Sequence, residues 1–370
     1  ASPQARAWTG PVHVRPIGIP AVVQRAAPCS TYLLDGRCLA PLAALPVNGF
    51  KNAFGHVLVT GGAPGYGGAA HLAALRAGAG LVTAAAPDAA LTDIKNGWAE
   101  IMTLALPGPH GCWPDAPPPA LVALAARCTA LVAGPGLGRS PDAAAFLGAL
   151  LRLPDRPPTV LDADALALMA AQPELLNLVR KDDVLTPHPG EAGLLLGRPA
   201  AAVQADRWAA LRELCARCRG VVVLKGAGTL VGQAGTPVLL CPYDVPQLAA
   251  GGSGDVLAGC LGGLLAAHAT DAKDAAPLRP AQLTAGQAVA LHALAGRQAA
   301  HTWPLRGNVA SATADLLPQA LARWAAPKNL TPEYAPEYAP GYAPETDDGI
   351  QTCPRASAPG SPEDLLAWPW

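Results

Sequence analysis

The residues best suited to chemistry in this 370-residue chain are Gly251-Gly252-Ser253-Gly254-Asp255, followed at once by an apolar helical run from Val256 to Ala269. Glycines that open a helix leave backbone N–H groups pointing outward beside the positive end of the helix dipole. Such an opening receives phosphate oxygens without any side chain, which makes Gly252, Ser253 and Gly254 a candidate anion hole. Asp255 places a carboxylate where a plain anion site would avoid one. A base that takes a proton from a hydroxyl close to a phosphate explains it, so the segment marks an enzyme that handles a phosphate-bearing ligand.

Four further segments carry polar groups. Lys225-Gly226-Ala227-Gly228-Thr229 offers a cation, two glycines for close approach and a hydroxyl. Alone it is indistinguishable from a Gly-rich turn, but with Gly251–Asp255 it makes a two-piece phosphate cradle. In Thr186-Pro187-His188-Pro189-Gly190-Glu191, two prolines fix the loop around His188. The plainer reading is a Pro-rich turn whose Glu191 begins the next helix. Asp162-Ala163-Asp164 follows a strand. Asp162 faces the site and suits Mg²⁺ held through water, whereas Asp164 serves equally well as a helix cap. Gly134-Pro135-Gly136-Leu137-Gly138 lets a ligand press on backbone, or simply turns the chain tightly.

Other chemistries are excluded or unsupported. The chain has no G-x-x-x-x-G-K-[ST] and no G-x-G-x-x-G opening the first helix, and no G-x-S-x-G elbow. His56, His71, His292 and His301 lack metal-site partners and read as core or surface. Cys215 and Cys218 read as one helix face, not a zinc or redox pair.

The elements that must position these residues are short apolar runs. Val57–Thr60, Leu81–Ala84, Ala130–Ala133, Thr159–Asp162, Asp183–Thr186 and Val221–Lys225 read as buried strands. They alternate with helical patterns at Ala69–Ala77, Asp142–Arg152, Leu166–Ala171 and Gln204–Arg219. Strands separated by helices predict βαβ units and a mostly parallel sheet with helices on both faces. The polar strand ends should then meet in one crevice at the carboxyl edge. With 51% hydrophobic residues, 14% charged residues and a net charge of −1, there is no basic field for nucleic acid or an anionic membrane. No apolar stretch is long enough to span a bilayer, and a soluble cytoplasmic protein is expected. Residues 327–370, with the spaced repeat around Tyr334, Tyr338 and Tyr342, read as a disordered Pro/Tyr-rich tail.

Taken in order, Gly134–Gly138, Leu161–Leu166, Leu185–Glu191, Val223–Thr229 and Gly251–Gly259 resemble the ADP- or ATP-dependent NAD(P)H-hydrate dehydratases, nucleotide-repair enzymes of the ribokinase-like fold. The resemblance runs from about Lys51 to about Leu321 and takes in Leu291–Gly296 and Ala310–Leu317 as closing helices. It implies a three-layer α/β/α domain over 51–326, with 1–50 as a remnant of a preceding epimerase domain plus linker and no epimerase activity. It implies that hydrated NADH and NADPH are phosphorylated by ADP, or by ATP, and then lose phosphate. Lys225, Gly226, Ala227, Gly228, Thr229 and Gly254 would hold the adenine nucleotide, with Mg²⁺. Ala69, Gly136, His188 and Asp255 would contact the hydrate, Asp255 as the base, in a homo-oligomer, often a tetramer. Departures are a helix after Gly68 about one turn short and the stretch Val245-Pro246-Gln247-Leu248, which lacks the usual Asn and Gly. Two other functions suit the residues: a kinase of the same fold acting on a hydroxymethylpyrimidine or thiazole alcohol, and a non-catalytic nucleotide-binding scaffold.

Overall fold

Strands form where Val, Leu and Ala follow one another, because a parallel sheet covered on both faces buries successive side chains alternately up and down. The computed structural model describes residues 17–20, 22–23, 27, 29–34, 36–43, 49, 51–62, 74, 76–95, 99–109, 112–268, 280–304 and 306–325. Among these residues ten strands make one sheet: β1 (Thr31–Leu33), β2 (His56–Thr60), β3 (Leu81–Pro87), β4 (Met102–Leu106), β5 (Ala130–Ala133), β6 (Thr159–Leu161), β7 (Val184–Leu185), β8 (Val221–Leu224), β9 (Leu230–Gly232) and β10 (Val238–Leu240). Their order is β1-β10-β9-β8-β7-β6-β5-β2-β3-β4. Only β9 runs against its neighbours, so the sheet is mostly parallel, as expected.

The helices are α1 (Leu91–Lys95), α2 (Pro119–Ala125), α3 (Pro141–Arg152), α4 (Asp164–Ala171), α5 (Pro189–Leu196), α6 (Ala200–Ala205), α7 (Arg207–Arg217), α8 (Ser253–His268), α9 (Pro280–Thr302) and α10 (Ala310–Ala325). They cover the two faces in separate layers. Val57, Val59, Val132, Val160, Val184 and Val223 pack with α8, α9 and α10 in one core. Leu58, Leu131, Leu161, Leu185 and Leu224 point the other way, into a core with α3, α4, α5 and α7. A Cβ at Gly262 would lie 2.5 Å from Val132 Cγ2, so glycine lets α8 sit almost on the sheet. That contact fixes the start of α8 above the carboxyl ends of β5 and β6.

Several expected boundaries move. Gln204–Arg219 is two helices, because Asp206 leaves helical geometry (φ −140°, ψ 84°) and its carboxylate accepts the Ala209 amide at 2.8 Å to cap α7. Strands β1, β4, β9 and β10 join those read from the sequence. The sheet also begins before residue 51. β1 pairs parallel with β10, Leu34, Cys38 and Leu39 are wholly buried, and the Gln287 side-chain amide donates to the Cys38 carbonyl at 2.8 Å. Residues 31–43 therefore cover what would be a bare β10 edge, rather than forming a separate linker. Ala69 and most of the Ala69–Ala77 helix, residues 1–16 of the expected epimerase remnant and the 327–370 tail lie outside the described residues. Among the described residues no helix is long and apolar enough to cross a membrane.

Candidate functional site

Because the central strands are parallel, the residues that follow them share one rim. Gly134 follows β5, Asp162 follows β6, Thr186 follows β7 and Lys225 follows β8. Asp162 is 1% exposed, and its Oδ1 lies 2.7 Å from Lys225 Nζ. Glu191 Oε2 lies 3.7 Å from the same ammonium. Burial pulls the Lys225 pKa down, but Asp162, Glu191 and Asp255 outweigh it and hold the pKa above the ordinary lysine value. Glu191 is pushed up, chiefly by burial. A Cβ at Gly254 would stand 3.2 Å from Lys225 Nζ, so the two halves of the expected phosphate cradle do meet, and a glycine keeps them in contact.

Helix α8 opens from Gly252, whose φ of 84° favours glycine. The Ser253 amide donates to the Ala250 carbonyl at 3.2 Å, and its hydroxyl turns inward to Nε2 of the buried His292 at 3.3 Å. Ser253 faces the protein, and the amides of Gly252, Gly254 and Asp255 have no backbone acceptor among the described residues. His292 is held near pKa 4 by burial and by Lys225, and is neutral.

Asp255 is half-buried. No lysine, arginine or histidine nitrogen of the described residues lies within 4 Å of its carboxylate. Burial first, then the neighbouring Asp162 charge, raise its pKa to about 6, with Lys225 opposing. It is the one carboxylate of the cluster left free of a cation, and its basicity is near that of an imidazole.

For His188 the structure shows the helix start that its sequence offered as the plainer reading. It is the N-cap of α5: its Nδ1 accepts the Gly190 amide at 2.9 Å and the Glu191 amide at 3.3 Å, while Glu191 accepts the His188 amide at 2.8 Å in a capping box. Nδ1 carries a lone pair, so the ring proton of the neutral form sits on Nε2, on a side chain 55% exposed. Burial and Lys225 lower the His188 pKa.

Asp164 is not the cap of α4, which is Ala163 at φ 50°. Its carboxylate accepts the Gly138 amide at 3.0 Å and Arg139 Nε at 2.8 Å, tying down the Gly134–Gly138 loop. Gly134, Gly136 and Gly138 all have positive φ, and a Cβ at Gly134 would strike the Asp162 carbonyl. Gly136, partly exposed, belongs to the same loop.

The Lys225–Thr229 loop joins β8 to β9 and is gripped by a residue the sequence reading passed over. Arg207, the first residue of α7, donates Nη2 to the carbonyls of Leu224 at 2.8 Å and Lys225 at 3.1 Å, and Nη1 to those of Ala227 and Gly228. A cation in the first turn of a helix opposes the dipole, and that mismatch was the available signal. His292 and the Asp164 anchor give no comparable sign. Among the described residues no group of three or more His, Cys, Asp or Glu side chains is placed to hold a metal.

Known proteins resemble this chain in sequence and in fold. The sequence profile of the NAD(P)H-hydrate dehydratase family matches residues 57–322. The bifunctional NAD(P)H-hydrate repair enzyme Nnr of Coxiella burnetii is 37% identical over 85% of this chain and 60% of its own length. The chain thus spans about 60% of such bifunctional relatives. The ADP-dependent (S)-NAD(P)H-hydrate dehydratase of Neisseria meningitidis is 40% identical over 58% of the chain and 71% of its own length. Among solved structures, a ribokinase-like superfamily protein of Enterococcus faecalis matches at TM-score 0.67 and 24% identity, covering 80% of this chain and 98% of that one. The ADP/ATP-dependent NAD(P)H-hydrate dehydratase of Bacillus subtilis, co-crystallised with ATP/Mg²⁺, matches at TM-score 0.61 and 23% identity over 79% and 99% of the two chains. At such identities the two structures establish a ribokinase-like fold.

Proposed function

The chain belongs to the NAD(P)H-hydrate dehydratase family, and from that membership we propose that it repairs hydrated NADH and NADPH with ADP as phosphoryl donor, giving the reduced cofactor, AMP and phosphate. The observation that carries this reading is the Asp255 carboxylate, free of any described cation and raised to about 6 beside the open amides that start α8. A carboxylate of that basicity is ionised at neutral pH yet takes up a proton readily.

Asp255 accepts the proton of the hydrate's hydroxyl as that oxygen bonds to the terminal phosphorus of ADP. The bridging P–O bond breaks, and its electron pair leaves with AMP. The ester then loses phosphate as its C–O bond breaks and an adjacent ring proton departs, restoring the double bond. Gly226–Thr229 and Gly254 hold the nucleotide. Lys225, kept charged by Asp162 and Glu191, faces the negative charge on the phosphoryl in flight. Gly136 and His188 contact the hydrated dinucleotide, together with Ala69, and His188 donates from Nε2.

The donor set suits Mg²⁺ that arrives on the nucleotide, because magnesium takes phosphates, water and one or two carboxylates, and Asp162 lends only one oxygen to Lys225. When bound, the ion would neutralise phosphate charge, with Asp162 holding it through water. A cytoplasmic homo-oligomer, by analogy a tetramer, completes the proposal.

The test is incubation with hydrated NADH and ADP or ATP, following the return of reduced-nicotinamide absorbance. Recovery with ADP is expected. No recovery with either nucleotide, alongside phosphorylation of a vitamin alcohol, would replace the reading with a small-molecule kinase.

A further inference from the structure

Arg207 is 7% exposed, and among the described residues no carboxylate comes within 4 Å of its guanidinium. An unpaired buried cation is costly, and here only carbonyl dipoles answer it. Four of them, from Leu224, Lys225, Ala227 and Gly228, converge on its two terminal nitrogens. Nε is buried with no partner at all. The position is unfavourable by every local rule: a positive charge at a helix start, out of water, with one donor unmet.

The other side of the same loop is the complement. With its carbonyls drawn inward, none of the amides of Gly226, Ala227, Gly228 and Thr229 meets an acceptor among the described residues. Gly226 and Ala227 are exposed, and the loop can take this shape because Gly226 and Gly228 have φ of 137° and 64°. Gly228 is buried, so it is the unpaired, exposed amides of Gly226 and Ala227 that suit an anion-binding nest. A full positive charge fixed behind such a nest, with no protein carboxylate to cancel it, lacks only an anion in front.

We infer that Arg207 is a positioning residue for the nucleotide: its four-carbonyl grip holds the Lys225–Thr229 loop with its amides outward, and its uncancelled charge attracts the phosphates bound there. This rests on the proposed nucleotide-dependent reaction. It also explains the crowding at Gly226, where a Cβ would lie 3.2 Å from Arg207 Nη2.

The experiment measures ADP binding by calorimetry and full kinetics in both substrates for wild type, Arg207→Met and Arg207→Lys. Loss of several charge-assisted hydrogen bonds predicts an ADP Kd and KM raised about ten- to a hundredfold in Arg207→Met. At saturating nucleotide, kcat and the KM for the hydrate stay within about threefold. Arg207→Lys restores part of the affinity, since it keeps the charge but not the planar fork. An unchanged ADP affinity in Arg207→Met, or equal losses towards both substrates, overturns the inference. If Arg207→Met does not fold, Arg207→Lys decides: its ADP KM must rise while the hydrate KM does not. Wild type that binds no adenine nucleotide overturns the proposed function as well, whereas wild-type repair with unaffected Arg207 variants overturns this inference alone.

Discussion

The strands at the centre of the sheet carry a buried ion pair at each end. At the amino ends of β6 and β7, the side chains of Arg156 and Asp183 have no exposed surface and meet through two bonds of 2.7 Å. Every remaining group is answered. Arg156 also donates to Thr159 Oγ1 and to the carbonyls of Leu151 and Leu178, while Asp183 also accepts the amides of Thr159 and Arg180. At the carboxyl ends, Lys225 and Asp162 meet at the same 2.7 Å, but the ammonium is shared with Glu191, and Asp255 stands nearby unpaired. Completeness of the hydrogen bonding separates a pair that holds strands together from one held ready for a ligand.

The sharpest test is Arg156→Ala, which leaves the Asp183 charge buried and alone. Unfolding stability should fall by about 3–5 kcal/mol, read by urea denaturation, with kcat of the folded protein unchanged. A large drop in kcat would erase the distinction between the poles. Next, Asp255→Asn should lower turnover about a hundred- to a thousandfold at unchanged nucleotide affinity, and wild-type rates in that variant would remove the base. The double change Arg156→Met with Asp183→Leu should regain most of the lost stability, because an apolar pair can replace a buried structural ion pair. No apolar pair at Asp162 and Lys225 should regain activity.

The pH dependence follows from Asp255. Its carboxylate must be ionised to act, so kcat/KM should rise with pH through about 6 and then level. The sign for stability is opposite. Its folded pKa lies above its ordinary value of 3.8, so the fold binds this proton more tightly than the unfolded chain. That contribution is fully present below pH 4 and is lost as pH rises through 6. Melting scans of wild type and Asp255→Asn across this window should diverge by on the order of 1 kcal/mol, the variant being the more stable at neutral pH. The smallest effect belongs to Ser253→Ala, which should leave nucleotide affinity within about twofold, since the lost hydroxyl faces His292 and not the cleft.

What the sequence disclosed follows from how local each signal is. β2, β5, β6 and β8 are unbroken apolar runs and were readable at once, as was the glycine turn that starts α8. β9 and β10 are three residues each and become strands only through their partners, and β4 lies on an edge where its residues are part exposed. The Asp162–Lys225 contact joins residues 63 positions apart, and the Arg207 grip crosses from a helix to a loop about twenty positions on. No spacing rule reaches either. His188 was half legible: Pro-Gly-Glu announced a helix start, but the Nδ1 cap that sets its tautomer needed the backbone in place.

β1 has a consequence for how the chain is made. Among the described residues its only neighbour is β10, and the Gln287–Cys38 bond above it spans 249 positions. On the ribosome, residues 31–39 must therefore emerge and wait, with Leu34 and Leu39 bare, until almost the whole sheet has been synthesised. Closing so distant a contact is slow, which places the β1–β10 pairing among the last steps of folding.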